Sequence, residues 1–396
     1  MGEKLGHSYS PQIHKYLASY EYLLYEKGRE EVTDFLKNGA FDALNVTIPY
    51  KKVAFAACDR LSDTAKRLGS VNTIVRGADG KLFGHNTDYY GFRYTVQSSG
   101  IAVQGKKAVV MGNGGVSSTV VAVLEDLGAA KIVVVDLNLE DNYTNIDRHF
   151  DAHIIVNATP VGMYPHNGNK LVDLALFTNC IGVFDLIYNP SKTALLLQAE
   201  TLGIPHRNGL AMLVAQAKES AEYFADTKIA ETKIQEILEE LEREMKNIVL
   251  IGMPGCGKST VGRALAQKLG REFVDADEAL VKRYGPIPEI FKTKGEDAFR
   301  KMETEVLSDL GRQKSLVIAT GGGCVTREEN YPLLHQNGQI IWIERDIAAL
   351  PTDGRPISQS TALSALYALR KPLYERFADK RVQNDSSVEK VVEEIL

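Results

Sequence analysis

Cysteine is scarce in this 396-residue chain: Cys58, Cys180, Cys256 and Cys324 stand more than 60 residues apart and form no CxxC pair. Such scatter excludes a disulfide framework and a clustered zinc site, and reads as small apolar or loop residues in a reducing compartment. The eight histidines lack HExxH or similar ligand spacing. Long apolar runs are missing too. Ile132–Val135 and Ile248–Ile251 are strand-sized, far below the ~20 residues of a membrane helix, so no membrane partner is expected. No apolar signal region follows Met1, and position 6 is Gly rather than Ser or Thr. Secretion and myristoylation are therefore not expected, and a cytoplasmic location is. Neither charge sign dominates: 46 Lys and Arg against 51 Asp and Glu leave −5, which speaks against a nucleic-acid partner. No pattern fixes an oligomeric state.

What is present is ordinary globular composition, 44% hydrophobic and 24% charged, over a length that exceeds one compact core. Two segments open like nucleotide-binding strand–loop–helix units. In the first, an apolar strand from Lys106 runs into Gly112-Asn-Gly-Gly, then a helix over Ser117–Leu127. In the second, Asn247–Ile251 runs into Gly252-Met-Pro-Gly-Cys-Gly-Lys-Ser. Between them, Thr227–Glu244 carries Ile229, Ile234, Ile237, Leu238 and Leu241 at helical spacing, a terminal helix that puts a domain boundary near 244. Upstream, the pattern predicts a helix from about Pro11, a strand at Tyr20–Glu26, a helix near Glu30–Lys37 and a strand at Ala43–Ile48. Alternation of strands and helices throughout predicts α/β layers with mostly parallel sheets.

Gly252–Ser259 fits G-x-x-x-x-G-K-[ST] between a strand and a helix, as phosphate binding requires. Glycines let backbone N–H groups wrap phosphates, Lys258 neutralises charge, and Ser259 offers a hydroxyl to Mg²⁺. Phe273-Val-Asp-Ala-Asp predicts Asp275 and Asp277 on one side of an extended segment, one facing the metal and one a hydroxyl acceptor. Then come Glu296-Asp-Ala-Phe-Arg-Lys-Met-Glu, Gly321-Gly-Gly-Cys-Val, Gly354-Arg-Pro-Ile and Arg370-Lys-Pro-Leu-Tyr. This set resembles shikimate kinase across residues 246–396. The resemblance implies ATP on Gly252, Gly255, Cys256, Gly257, Lys258, Ser259 and Thr260, and Mg²⁺ on Ser259 and Asp275. It implies Asp277 as the group that orients or deprotonates the acceptor, with Arg300 and Arg370 on the shikimate carboxylate. Gly321, Gly322 and Gly323 would lie against the ring, and Arg355 would be the lid arginine. The stretch from Trp342 to Arg355 is shorter than the family's usual lid segment.

Ser8 and Ser10 precede Pro11, and two readings stay open: Ser10 caps the helix, or both hydroxyls hold a carboxylate at its positive end. Asn45-Val-Thr-Ile-Pro-Tyr-Lys and Gly84-His-Asn-Thr-Asp-Tyr-Tyr-Gly-Phe follow, then Asn157-Ala-Thr-Pro-Val-Gly-Met, Phe184-Asp-Leu-Ile-Tyr-Asn-Pro and Gly209-Leu-Ala-Met-Leu-Val-Ala-Gln-Ala. In that order they resemble shikimate dehydrogenase over roughly residues 4–225. The resemblance implies Lys51 and Asp88 as the catalytic pair, and Ser8, Ser10, Thr47, Asn72, Tyr188 and Gln216 as readers of the substrate. It implies a nicotinamide cofactor on Gly112, Asn113, Gly114, Gly115 and Asp136, bordered by Gly209 and Met212.

The chain departs from that family in three ways. Only six residues precede His7, where the family has an apolar strand. Asp136-Leu-Asn replaces the family's Asn-Arg-Thr, so an acidic group faces the position of a 2′-phosphate and leans the cofactor from NADP towards NAD. Only 20 residues separate Asp136 from Asn157, which predicts a trimmed cofactor domain. The implied fold is α/β: a substrate-binding α/β domain over 1–100, with helices of 208–244 packing back on it, and a Rossmann-like dinucleotide domain over 101–207. A P-loop, nucleoside-monophosphate-kinase-like domain follows over 245–396. The implied function is reduction of 3-dehydroshikimate to shikimate and phosphorylation of shikimate. The alternatives are an active kinase with a degenerate dehydrogenase kept as a shikimate-binding scaffold, or quinate dehydrogenase activity in the first domain.

Overall fold

The structure, a computed structural model, describes residues 1–6, 8–350 and 363–396. It divides into two compact units, Met1–Glu240 and Leu241–Leu396, a few residues before the boundary expected near 244. The division falls in the helix Thr232–Met245, whose Ile234, Ile237, Leu238 and Leu241 are buried at the expected spacing.

The first unit holds two sheets. Strands β1 (Ala43–Asn45), β2 (Arg60–Leu61), β3 (Thr73–Arg76) and β4 (Leu82–His85) lie in the order β1-β3-β4-β2. Both partners of β3 run antiparallel to it and only β2–β4 is parallel, so this sheet departs from the expected parallel layout. Short connections explain it, because antiparallel neighbours need only a turn: β3 and β4 are joined through Gly77–Gly80. The strand expected over Tyr20–Glu26 does not form. Glu26 makes one isolated bridge to Gly2, and a two-residue partner cannot build a ladder. The strand expected over Ala43–Ile48 is shorter, ending at Asn45.

The second sheet comprises β5 (Lys107–Met111), β6 (Lys131–Val135), β7 (Ile154–Asn157), β8 (Gly182–Asp185) and β9 (His206–Arg207), all parallel in the order β6-β5-β7-β8-β9. Strand β7 is buried along its whole length, as a parallel strand covered on both faces must be. Phe92, Val120, Val123, Leu124 and Met212 pack over one face, and Leu174, Phe177, Leu195 and Leu196 over the other. The crossover from β6 to β7 carries a 3₁₀ turn, Ile146–His149, where the crossover from β5 to β6 carries the helix Ser117–Asp126. Helix Leu210–Ala225 packs against helix Asp88–Ser99. Gly91 permits this approach, since a Cβ there would lie 2.6 Å from the Met212 carbonyl oxygen.

The second unit is built on β10 (Asn247–Ile251), β11 (Phe273–Asp275), β12 (Val317–Ala319), β13 (Gly338–Glu344) and β14 (Lys380–Gln383), parallel in the order β11-β12-β10-β13-β14. Central β10 is wholly buried. One core fills the unit, with Trp342, Tyr374 and Phe377 among its largest buried side chains. Strands β12 and β13 flank β10 on its two sides, so the strand order reverses there and the crevice beyond the strands' carboxyl ends opens beside the Gly252 loop. Among the described residues no helix is long and apolar enough to cross a membrane.

Candidate active sites

In the second unit the loop after β10 turns on three glycines in the left-handed region: Gly252 (φ 144°), Gly255 (φ 83°) and Gly257 (φ 101°). Only glycine holds these values without strain, and the result is a cradle of backbone N–H groups at the start of helix Lys258–Leu269. Lys258 is buried, and its ammonium donates to the carbonyls of Gly252 (2.9 Å) and Met253 (3.0 Å). Cys256 is buried, and its carbonyl accepts from Asn384 Nδ2 (2.7 Å); Thr260 is exposed.

Ser259 Oγ lies 2.6 Å from Asp275 Oδ2. Strand β11 ends at Asp275, which caps helix Ala276–Tyr284 by accepting the N–H groups of Asp277 (3.0 Å) and Glu278 (3.3 Å). Asp277 thus sits in a first helical turn and not on the extended segment expected. The Asp275 cap starts the helix two residues too early for strand alternation. Both carboxylates nevertheless line the same cavity, about 670 Å³, together with Lys258, Arg300, Gly322 and Arg370.

Gly321–Gly323 form the facing wall. A Cβ at Gly321 would lie 2.5 Å from Glu303 Oε1 and 2.8 Å from Asp277 Oδ1; at Gly322, 2.6 Å from Pro254; at Gly323, 2.3 Å from the Arg300 guanidinium. The wall can be this close only because it lacks side chains. Arg300 pairs with Glu303 (2.7 Å) and Glu296 (3.2 Å), while Arg370 Nη1 donates to the Gly322 carbonyl (3.1 Å), which also accepts from Tyr374 Oη (2.5 Å). Burial raises the Glu303 carboxyl against the pull of Arg300, and the Asp277 charge adds to the rise. Sequence reading passed over Glu303, although it closes the Glu296–Glu303 motif one helical turn after Arg300. Arg355 lies outside the described residues.

In the first unit, Lys51 opens helix Lys51–Ala57 and Asp88 opens helix Asp88–Ser99, which brings Lys51 Nζ to 2.5 Å from Asp88 Oδ2. Thr87 joins this pair to two more expected residues. Its N–H donates to Asn72 Oδ1 (2.8 Å), and its hydroxyl reaches Gln216 Oε1 (3.4 Å). Thr87 was missed in the sequence, where its only signal is its place beside Asp88 in the Gly84–Phe92 motif. Tyr9 packs edge-on against Tyr188, ring centroids 6.0 Å apart, between the two serines. Ser10 is not the helix cap: Tyr9 holds that position with no side-chain capping bond, and the Ser10 N–H instead donates to Ser8 Oγ (3.3 Å). Thr47 is exposed.

The glycine turn after β5 holds Gly112 at φ 100°, pressed against Thr159, with Gly114 and Gly115 facing open space. Such an open turn ahead of helix Ser117–Asp126 fits a pyrophosphate. Asp136 Oδ2 accepts the Asn113 N–H (2.9 Å), tying the end of β6 to the turn, and Leu137 beside it is 77% exposed. Gly209 is pressed against the Leu186 backbone, and Met212 is buried in the core beside the sheet.

Residues 1–74 match the shikimate dehydrogenase substrate binding domain family, and residues 254–396 match the shikimate kinase family. A shikimate dehydrogenase (NADP(+)) of Clostridium beijerinckii is 33% identical over 265 residues, covering 62% of this chain and 98% of that protein. A shikimate kinase of Synechococcus sp. is 42% identical over 162 residues, covering 38% of this chain and 81% of its own. Among solved structures, a chorismate mutase/shikimate 5-dehydrogenase fusion protein from Clostridium acetobutylicum is 36% identical with a TM-score of 0.58, over 61% of this chain and 95% of that one.

Proposed function

Because the chain belongs to the shikimate dehydrogenase family in its first unit and to the shikimate kinase family in its second, we propose that one polypeptide reduces 3-dehydroshikimate to shikimate and then phosphorylates it to shikimate 3-phosphate. The observation that carries this reading is that one chain holds both the Lys51–Asp88 pair and a P-loop cavity lined by three arginines. The first product is the second substrate.

In the dehydrogenase reaction the nicotinamide, when bound, supplies the hydride. Lys51 donates the proton to the ketone oxygen, and Asp88 orients the ammonium and takes a hydrogen bond from the neighbouring hydroxyl. Asn72 and Gln216, held in register by Thr87, read the ring hydroxyls; Ser8, Ser10 and Tyr188 take the carboxylate side, with Thr47 at the rim. The division of labour follows: 1–100 with the returning helices of 208–244 for substrate, 101–207 for the dinucleotide, 245–396 for phosphoryl transfer.

In the kinase reaction Asp277 accepts the proton of the acceptor hydroxyl, Arg300 and Arg370 hold the carboxylate, and Lys258 leaves its two carbonyls for the phosphates of ATP. Ser259 and Asp275 suit Mg²⁺, an ion commonly held by one or two protein oxygens with phosphates and waters completing its shell. Magnesium would supply charge neutralisation on the phosphates.

Cofactor choice separates this chain from its named relatives. Asp136 holds the turn through one oxygen and leaves the other towards a ribose, where it accepts a 2′-hydroxyl and repels a 2′-phosphate. Leu137 brings no charge, and Arg148 is exposed on the 3₁₀ turn beyond. NAD is therefore used at least as well as NADP. Measuring kcat/KM for both decides it: a tenfold or greater NADP preference would overturn this choice, and Asp136→Ser should raise NADP use. The shortened β6–β7 crossover favours a second reading, a dehydrogenase unit that binds shikimate without turnover. Shikimate binding with no activity on either cofactor would select it.

A further inference from the structure

Four cations among the described residues line the cavity of the second unit: Lys258, Arg300, Arg345 and Arg370. Three are already held: Lys258 by two carbonyls, Arg300 by Glu303 and Glu296, and Arg370 by the Gly322 carbonyl. Arg345 has no hydrogen bond, ion pair or ring contact with any described residue. The carboxylates flanking it in sequence are engaged elsewhere. Glu344 is buried among Tyr367, Arg381 and Gln383, and Asp346 caps the turn Ile347–Ala349 through the Ala348 N–H. An arginine facing a cavity with no partner among the described residues is poised for an anion that arrives from outside.

Its place in the fold says which anion. Strand β13 pairs with β10 so that Trp342 lies beside Ile251, and the Ile343 carbonyl lies 2.3 Å from where a Gly252 Cβ would be. Arg345 follows the strand by one residue and lines the cavity together with Pro254. Pro254 is also the P-loop residue against which Gly322 is pressed. Arg345 thus shares one cavity with the phosphate cradle and with the acceptor loop Gly321–Gly323, and a phosphoryl group in transit must pass between those two walls.

We infer that Arg345 is a further catalytic residue of the kinase reaction, its guanidinium contacting the terminal phosphoryl group of the nucleoside triphosphate; this rests on the kinase reading of the cavity. In the step, the acceptor hydroxyl oxygen bonds to the terminal phosphorus as its proton passes to Asp277. The bond from that phosphorus to the bridging oxygen breaks, and the diphosphate leaves with the electron pair. Arg345 exchanges no proton; it offsets the charge on the oxygens of the moving group.

The test uses the full chain with Arg345→Ala, Arg345→Lys and Arg345→Gln, the last keeping a polar stem should the alanine variant not fold. Dehydrogenase turnover or, failing that, a melting curve serves as the folding control. Removing the guanidinium should lower kinase kcat by roughly 10–100-fold, the worth of a charge-assisted hydrogen bond, and narrow the ratio of ADP to ATP dissociation constants. The KM for shikimate should change by less than about threefold, and the lysine variant should recover part of kcat. A folded alanine or glutamine variant with unchanged kcat overturns the assignment. So does a raised shikimate KM with kcat intact, or an equal loss of ADP and ATP affinity. A wild-type chain that does not phosphorylate shikimate contradicts instead the kinase reading on which the assignment stands.

Discussion

The two units treat charge in opposite ways. In the second, Lys258, Arg300, Glu303 and Arg370 are all under 9% exposed, each gripped by a neighbour before any ligand arrives. In the first, the Lys51 and Asp88 side chains keep 19% and 11% exposure and hold mainly one another. The contrast follows the chemistry. Phosphoryl transfer is speeded by fixed cations in a water-poor site, which buried and braced groups provide. Proton transfer beside a hydride needs a group that can reach the reacting oxygen, and a lysine on one ion pair can do so. A substitution in the second unit therefore strands a buried partner as well as removing a contact, whereas one in the first removes mainly reactivity.

The largest expected effect breaks the comparison cleanly. Lys258→Ala should abolish phosphorylation while leaving dehydrogenase turnover within about twofold, because the loop contacts are local to the second unit. Parallel loss of both activities in a folded variant would mean the units do not work independently. Next comes Lys51→Ala, expected to lower dehydrogenase turnover by ~10²–10⁴, the range for a lost general acid, with a much smaller change in shikimate binding. Unchanged turnover there would remove Lys51 from the mechanism. Smaller again is Gly323→Ala, whose methyl group would displace the Arg300 guanidinium. It should raise the kinase KM for shikimate about tenfold with ATP affinity held, as losing one charge-assisted hydrogen bond would. A normal KM would mean Arg300 does not touch the substrate.

The smallest effect concerns Asp185 at the end of β8, which burial pushes up to about 6 despite hydrogen bonds from Thr193, Ile187 and Asn157. The folded chain therefore binds this proton more readily than the unfolded chain does. The stability it lends is full below the ordinary carboxyl value of 3.8 and is lost as pH rises through about 6. Asp185→Asn should flatten the pH dependence of the first unit's melting temperature between about pH 4 and 6. An unchanged slope would place its source elsewhere.

Much of this was legible because its signals are local. The Gly252–Ser259 pattern, the strand Lys131–Val135 and the helix Ser117–Asp126 each follow from spacing over a few residues, and the structure has them within a residue or so. What sequence missed depends on partners far away in the chain. The Tyr20–Glu26 segment has strand composition but, among the described residues, makes one β-bridge, from Glu26 to Gly2. Asp277 was read by strand alternation, yet the cap made by Asp275 turns the chain into a helix first. Thr87 and Arg345 matter through residues far away in the chain: Asn72 and Gln216 for one, the cavity shared with Lys258 and Gly321–Gly323 for the other.

If both reactions run on one polypeptide, a single-pot assay will couple them. The purified chain is given 3-dehydroshikimate, ATP, Mg²⁺ and either NADH or NADPH, and cofactor oxidation is followed alongside formation of phosphorylated product. The cofactor should be oxidised and shikimate 3-phosphate should accumulate, with Lys51→Ala stopping both and Lys258→Ala stopping only the second. Phosphorylation of added shikimate, with neither cofactor oxidised when 3-dehydroshikimate is supplied, would contradict it.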